Sequence, residues 1–140
     1  MRLELGRRGA YAVRVGVDLA GHHHSGRRKA KDIATSTGVP RAYLAHILTM
    51  LVDAGVVSSQ AGPTGGYSLA DPPEHVSLLT VLAAVEGPLQ PTECVLRDGS
   101  CGADGTHCAV HETWFRGHEA LREHLAGTSL ASVAGRAHSA

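Results

Sequence analysis

Residues 38–70 constrain the fold of this chain more than any other segment. Between Pro40 and Gly55, four aliphatic residues recur at the spacing i, i+3, i+4 and i+7, namely Leu44, Ile47, Leu48 and Leu51. This stripe predicts an amphipathic helix with a proline near its start and a left-handed glycine at its end. The pattern then changes, because VVSSQ and YSLA predict two short strands and AGPTGG supplies the residues of a hairpin turn.

The flanking segments predict further short helices. Residues 8–20 have apolar residues at helical spacing, and Ala30, Ile33 and Ala34 predict a short helix that ends at Gly38. Two helices joined across TSTGVP form a helix-turn-helix pattern, and a hairpin directly after the second helix is the wing of a winged helix-turn-helix. Another helix is expected at 78–86, with Ser77 as its N-cap. The predicted fold is therefore mostly α, with a small β-hairpin wing and a long C-terminal dimerisation helix.

Charge divides the chain into two halves although its formal net charge is zero. Residues 1–47 contain nine Lys or Arg and three acids, whereas residues 48–140 contain four and ten. A basic N-terminal half is typical of a nucleic-acid surface, since neutralising phosphates gives affinity independent of sequence. The charge distribution alone is explained equally well by helices whose basic side chains are merely solvated.

If the 40–55 helix enters a major groove, its outer face meets the DNA. The candidate DNA-binding residues lie at the N-terminus, on the two helices and on the wing: Arg2, Arg7, Arg8, Lys31, Arg41, Ala42, Tyr43, Ala45, His46, Gln60, Pro63, Thr64 and Gly65.

No apolar run approaches the roughly 20 residues needed to cross a bilayer, and charges interrupt the N-terminal segment where a signal peptide would be apolar. The sequence therefore predicts a cytoplasmic protein without membrane association. In that reducing compartment, three cysteines do not indicate a disulfide framework.

All three cysteines lie in one glycine-rich segment with the spacing C-x6-C-x6-C-x2-H, at Cys94, Cys101, Cys108 and His111. Zinc knuckles usually pair cysteines two to four residues apart, so zinc is not favoured. Iron–sulfur clusters are larger and suit widely spaced thiolates, and His111 lies on the same helical face as Cys108. A reduced loop or a thiol sensor without cofactor is the alternative. The three histidines at 22–24 are interpreted as solvated loop residues rather than metal ligands.

A longer helix is predicted from about 109 to 125, with a stripe of Val110, Trp114, His118, Leu121 and Leu125. The stripe either packs on its own domain or, as we expect, pairs with a second subunit to make a two-fold dimer that matches a palindromic operator. After it, we expect one short turn around Leu130 and Val133, then fraying. The expected division is a DNA-binding domain at 1–87, a cluster loop at 88–108, a dimerisation helix at 109–127 and a tail at 128–140.

Over nearly its whole length, the chain resembles the winged-helix iron–sulfur cluster regulators that include IscR, NsrR and RirA. The resemblance is carried by MRL with GAYAVR, by GVPRAYLAHILTMLVDAGVVSSQAGPTGGY, by SLLTVLAAVEGP and by the cysteines followed by CAVHETW. It implies a dimeric transcription factor that senses iron, redox or nitric oxide status. It also implies that Cys94, Cys101 and Cys108 hold the cluster, and that His111 completes a [2Fe–2S] site.

The chain departs from this family at three places. Its cysteine gaps are one residue longer than the common pattern, which leaves the cluster type open. Arg8 stands at the position where nitric-oxide-sensing relatives have an acidic ligand, and Glu4 is the only carboxylate nearby. Histidine ligation is therefore favoured, and a [4Fe–4S] cluster stays possible. Ala61 replaces a basic residue that relatives often carry on the wing, so wing affinity should be lower or carried by other contacts.

Two other classes of function compete with a cluster-dependent regulator. A cofactor-free regulator of the same fold would use its thiols for redox sensing or for control of cysteine metabolism. An enzyme is not expected, because the sequence shows no Ser-His-Asp spacing, phosphate-binding glycine loop or paired carboxylates.

Overall fold

The computed structural model describes residues 3–89, 93–102 and 104–139. In these ranges the chain forms six α-helices and one antiparallel hairpin. The helices are α1 (Arg7–Gly21), α2 (Ala30–Thr37), α3 (Arg41–Asp53), α4 (Leu78–Glu86), α5 (His111–Ala126) and α6 (Leu130–Ser139), and the strands are β1 (Val57–Gln60) and β2 (Gly66–Leu69). Short 3-10 turns occur at His23–Ser25 and Pro73–His75. The predicted class, mostly helical with a two-stranded hairpin, is confirmed.

One aliphatic core joins α1, α2, α3, α4 and α6. The four predicted stripe residues of α3 are all buried, with at most 1% of their surface exposed. They meet apolar residues from α1, including Ala12, Val15 and Leu19, and Val81 and Val85 from α4. Burial of such aliphatic side chains contributes about 1.5–3 kcal/mol each. The aromatic residues contribute little to this core, because Tyr11, Tyr43 and Tyr67 only pack at its margin.

The hairpin follows α3 as predicted. Gly55 closes α3 with φ of 78°, a conformation that costs glycine little because it lacks a Cβ. β1 then pairs with β2 so that Val57 lies opposite Leu69 and Gln60 lies opposite Gly66. This register buries Val57 and Leu69 against the core and extends the turn away from it.

The start of α4 is also as expected. The Ser77 Oγ accepts a hydrogen bond from the Thr80 N–H at 3.1 Å, which satisfies one of the donors that a helix N-terminus leaves unpaired. Within the described ranges, no helix combines the length and apolarity that a bilayer-spanning segment requires.

The C-terminal segment differs from the sequence expectation of one turn followed by fraying. It forms α6, which packs on α1, and Leu130 is fully buried while Ala134 is 6% exposed. The Leu130 N–H donates to Val76 O at 2.8 Å, and the Leu78 N–H donates to Thr128 O at 2.9 Å. The segment before α6 therefore pairs with the segment before α4, and this non-local pairing fixes the helix in place. The four-part division of the chain stays a prediction.

Helix α5 differs from the other long helices, because none of its residues is buried. It contacts α4, yet Trp114, Phe115 and Leu121 are 38%, 45% and 52% exposed. Its apolar face is thus only partly covered by its own chain.

Candidate functional site

The outer face of α3 presents the residues that the helix-turn-helix pattern selects. Arg41, Ala42, Ala45 and His46 are all exposed, because the opposite face of the helix is buried in the core. Tyr43 is half-buried, and its ring packs edge-on against Tyr11 with centroids 5.0 Å apart. Tyr43 therefore fixes α3 against α1 and leaves only part of its surface for DNA.

The wing tip presents Gln60, Pro63 and Thr64 to solvent. Gly65 is buried, and a Cβ there would clash with the Gln60 and Ala61 carbonyl oxygens. Its N–H donates to Gly62 O at 3.0 Å. Gly65 consequently shapes the turn, and its neighbours form the surface that could meet DNA.

The N-terminal cations have different surroundings. Arg2 lies outside the described residues. Arg7 on α1 and Lys31 on α2 are exposed, whereas Arg8 donates from Nη1 to Val85 O at 3.2 Å. That bond places the Arg8 guanidinium near the carbonyl end of α4, where a cation is stabilised by the helix dipole.

A basic segment that the sequence reasoning did not single out, residues 27–29, lies along the wing. Arg27 donates from Nη1 to Ser58 O at 3.0 Å and from Nη2 to Ser58 Oγ at 3.1 Å. Arg28 exchanges backbone hydrogen bonds of 2.8 and 2.7 Å with Tyr67. Lys29 donates from Nζ to Gly62 O at 3.0 Å. The only sequence signal was the run RRK itself, because its partners on the hairpin are more than 25 residues away along the chain.

Arg28 is fixed by an ion pair as well as by the backbone. Its guanidinium makes two hydrogen bonds to the Asp18 carboxylate, at 3.1 and 3.2 Å. The Asp18 side chain is only 6% exposed, so this bidentate pair anchors the segment to α1. His22, from the run of three histidines, also turns toward α1, with Nδ1 2.8 Å from Asp18 O.

The three cysteines converge, as expected from the sequence. The Sγ atoms of Cys94, Cys101 and Cys108 all lie within 4.8 Å of one another, and each residue is half-buried. The Cys94 N–H donates to Gly99 O at 2.8 Å, which closes the first part of the loop. The Cys108 N–H approaches the Cys101 Sγ at 3.4 Å. Three soft sulfur donors around one point can bind a metal or an iron–sulfur cluster.

The loop is shaped by a close approach at Gly102. Its φ is 85°, and a Cβ there would lie 2.7 Å from the His107 ring. Glycine at this position therefore lets the chain turn while His107 folds over it, which brings Cys108 back toward Cys101.

His111 begins α5 and lines the same small pocket as the three cysteines. Its N–H donates to Cys108 O at 3.1 Å, and its ring stacks on His107 with centroids 3.7 Å apart. Among the described residues, the donor atoms grouped within 4.8 Å are the three sulfurs alone. The structure thus places His111 beside the thiols while its ring contacts another histidine.

The three thiols have different electrostatic surroundings. Hydrogen bonds from the backbone near Leu96 and Arg97 lower the pKa of Cys94 to about 7, and its neighbouring thiols add to this effect. For Cys101, the Cys108 N–H favours the thiolate, but burial and the adjacent thiols outweigh it and raise the pKa. In the same loop, hydrogen bonds from Thr106 lower the pKa of the Asp104 carboxyl, which also faces Arg97.

The donor set fits an iron–sulfur cluster in chemistry, because thiolates are the usual ligands and imidazole is an accepted substitute. The pocket among the sulfurs has a volume of only about 10 Å³, which is about the room of one water molecule. A cluster held between the three sulfurs would therefore require the loop to spread.

A second surface feature lies on α5. A cavity of about 350 Å³ is lined by Leu3, Trp114, Gly117, His118 and Leu121. Two of the predicted stripe residues, Trp114 and Leu121, are exposed there, and Val110, His118 and Leu125 are half-buried. This apolar surface adjoins the cysteine pocket, since Trp114 lines both.

Comparison with known proteins links this chain to gene regulation. The family described as "Rrf2: Iron-dependent Transcriptional regulator" matches residues 5–136. The HTH-type transcriptional regulator IscR of Aliivibrio salmonicida is 32% identical over 131 residues, which are 94% of this chain and 77% of that protein.

Two solved structures have the same fold. CymR (YrzC), the global cysteine regulator of B. subtilis, has a TM-score of 0.82 and 28% identity, with 96% of this chain and 98% of that chain covered. T. potens IscR has a TM-score of 0.79 and 27% identity, with 96% and 88% covered. The expectation of a DNA-binding regulator rather than an enzyme is confirmed, and the chain belongs to the Rrf2 family of transcriptional regulators.

Proposed function

We propose that this regulator binds an iron–sulfur cluster through Cys94, Cys101, Cys108 and His111, and that the cluster controls DNA binding by a homodimer. The observation that carries the proposal is the convergence of the three Sγ atoms to within 4.8 Å, although their residues are separated by six-residue gaps. An ordinary surface loop has no physical reason to gather all the thiols of a chain. A [2Fe–2S] cluster is favoured, and a [4Fe–4S] cluster is the alternative type.

His111 is the proposed fourth ligand because it lines the thiol pocket and is tied to Cys108 through the backbone. Its ring must leave His107 to ligate a cluster, and spreading of the loop would separate the two rings. When bound, such a cluster supplies a centre whose charge and integrity change with iron supply, oxidants or nitric oxide. A histidine ligand makes its retention sensitive to pH, since protonated imidazole cannot ligate.

The proposed homodimer forms through α5. A helix with no buried residue and three exposed large apolar side chains is poorly stabilised by its own chain, and a second copy would cover this face. A two-fold dimer would place two α3 helices on the two halves of a palindromic operator.

The cysteine loop links α4, which belongs to the winged domain, to α5. Spreading of the loop by a cluster would therefore change how α5 and its partner lie relative to the two winged domains. Allosteric couplings of this kind amount to about 1–3 kcal/mol, or about 5–150-fold in affinity.

The test is iron and acid-labile sulfide per chain in protein purified without oxygen. We expect about two of each in the wild type for a [2Fe–2S] cluster and about four of each for a [4Fe–4S] cluster. Cys94→Ser, Cys101→Ser and Cys108→Ser should lose the cluster, and His111→Ala should weaken it or change its visible spectrum. His107→Ala is the matched control, because it removes the stacked ring without removing a proposed ligand. If His111→Ala retained the wild-type content and spectrum, His111 would not be the fourth ligand.

A second candidate is a cofactor-free thiol regulator, which the structural similarity to the cysteine regulator CymR favours. The sulfurs are close enough for a modest loop movement to join two of them. Two thiols would then lose two electrons and two protons to hydrogen peroxide, which leaves as two water molecules. This candidate predicts neither iron nor sulfide after reconstitution, and DNA affinity that changes with peroxide in the wild type but not in Cys94→Ser.

A further inference from the structure

The wing of this protein carries no cation of its own. Residues 57–70, VSSQAGPTGGYSLA, contain neither lysine nor arginine. A hairpin that approaches the DNA backbone without a positive charge gains no affinity from release of counterions. Any positive charge at the wing must therefore come from elsewhere in the fold.

The basic segment 27–29 is built into the wing. Gly66 has φ of 137°, and a Cβ there would lie 2.5 Å from Arg28 O. Glycine thus permits the backbone of Arg28 to lie directly against β2, where it pairs with Tyr67. Because Arg27 bonds to Ser58 and Arg28 pairs with Asp18, the segment is held from both sides.

Of the three cations, Lys29 is the one directed at the wing tip. Its Nζ lies 3.0 Å from Gly62 O, in the turn between β1 and β2, and the residue is exposed. Arg28 is neutralised by Asp18 and Arg27 is half-buried, whereas no ion pair joins Lys29 to an acid within the part of the chain that the structure describes. An ammonium group has three donors, and the bond to Gly62 uses one.

We propose that Lys29 supplies the wing's phosphate contact in the DNA complex. The hydrogen bond to Gly62 holds the ammonium beside the exposed Pro63 and Thr64, and its other N–H groups can donate to a phosphate oxygen of the DNA backbone. The side chain is thereby ordered before DNA binds, which reduces the entropy lost on contact. This inference rests on DNA binding by the winged domain and does not depend on the cluster.

The test measures how DNA affinity depends on salt. Fluorescence anisotropy with a labelled mixed-sequence duplex of about 30 base pairs serves as the probe, because phosphate contacts act on any sequence. Lys29→Gln should make the negative slope of log K against log salt shallower by about 0.9 per chain. For two copies on one duplex, the affinity ratio of wild type to variant should fall roughly tenfold between about 50 and 200 mM salt.

Two further variants separate this contact from a merely structural role. Lys29→Arg should restore the slope, because it keeps the charge at the wing. Arg136→Gln removes one cation from α6, which packs on α1 rather than on the wing, and should leave the slope unchanged. A Lys29→Gln slope equal to that of the wild type would overturn the inference even if affinity fell. If the wild type bound no duplex in either its apo or its cluster-loaded form, the proposal that this chain binds DNA would be overturned instead.

Discussion

The clearest test of the fold concerns α6, where the sequence predicts only one short turn. Leu130 is fully buried, and its Cδ atoms approach the position of a Cβ on Gly16 of α1 to 3.3 and 3.4 Å. Leu130→Ala removes three carbons from this contact, and about 0.8 kcal/mol per carbon gives a transfer loss of about 2.4 kcal/mol. The remaining cavity adds to it, so a total loss of about 2–5 kcal/mol is expected.

Urea denaturation followed by circular dichroism measures this loss, with all variants at one protein concentration because dimerisation would couple stability to concentration. Ser132→Ala, at an exposed position of α6, is the matched control and should change the free energy of unfolding by less than about 0.5 kcal/mol. If Leu130→Ala were as stable as Ser132→Ala, α6 would not belong to the core, and the segment would fray as its composition suggests.

Three further predictions concern the α4 cap, the wing and the thiols. Ser77→Ala should cost about 1 kcal/mol of unfolding free energy, because the Thr80 N–H loses its acceptor; an unchanged urea midpoint would contradict the cap. Gly66→Ala should weaken duplex binding, because its Cβ meets Arg28 O, whereas Gly135→Ala, where a Cβ meets nothing within 4 Å, should bind as the wild type does. In the apo protein, iodoacetamide should modify Cys94 before Cys101 at pH 7–8, since the pKa of Cys94 is lowered to about 7 and that of Cys101 is raised; peptide mass spectrometry that found Cys101 modified first would refute this order.

Local patterns in the sequence were sufficient to predict α3, the hairpin and the start of α4. The stripe Leu44, Ile47, Leu48 and Leu51 determines which face of α3 is buried, and hence which residues remain outside. The α4 cap needs only Ser77 and the N–H three residues later. Each of these features depends on residues close together in the chain, so periodicity and capping preferences predict them.

Features that depend on distant residues were missed. Helix α6 contains few large apolar residues, and its order depends on small residues of α1 such as Gly16, which allow close approach. The sequence could not show that the Arg8 guanidinium donates to Val85 O, which lies 77 residues later, and a contact between Arg8 and DNA stays a prediction. The convergence of the cysteines was expected from chemistry, whereas the stacking of His111 on His107 follows from the turn at Gly102.

The cysteine loop adjoins both the thiol pocket and the apolar cavity on α5, so a change at the thiols can reach the proposed dimer face. Trp114 lines the thiol pocket together with His111 and also lines the apolar cavity on α5. Movement of His111 toward a cluster would therefore shift the first turn of α5, and with it a side chain of the proposed dimer face. Helices α1, α4 and α6 cannot follow this movement easily, because α4 and α6 both pack on α1 and are tied together at Ser77 and Ser129. Rearrangement should then concentrate at the two ends of α5, where the cysteine loop precedes it and Gly127 follows it.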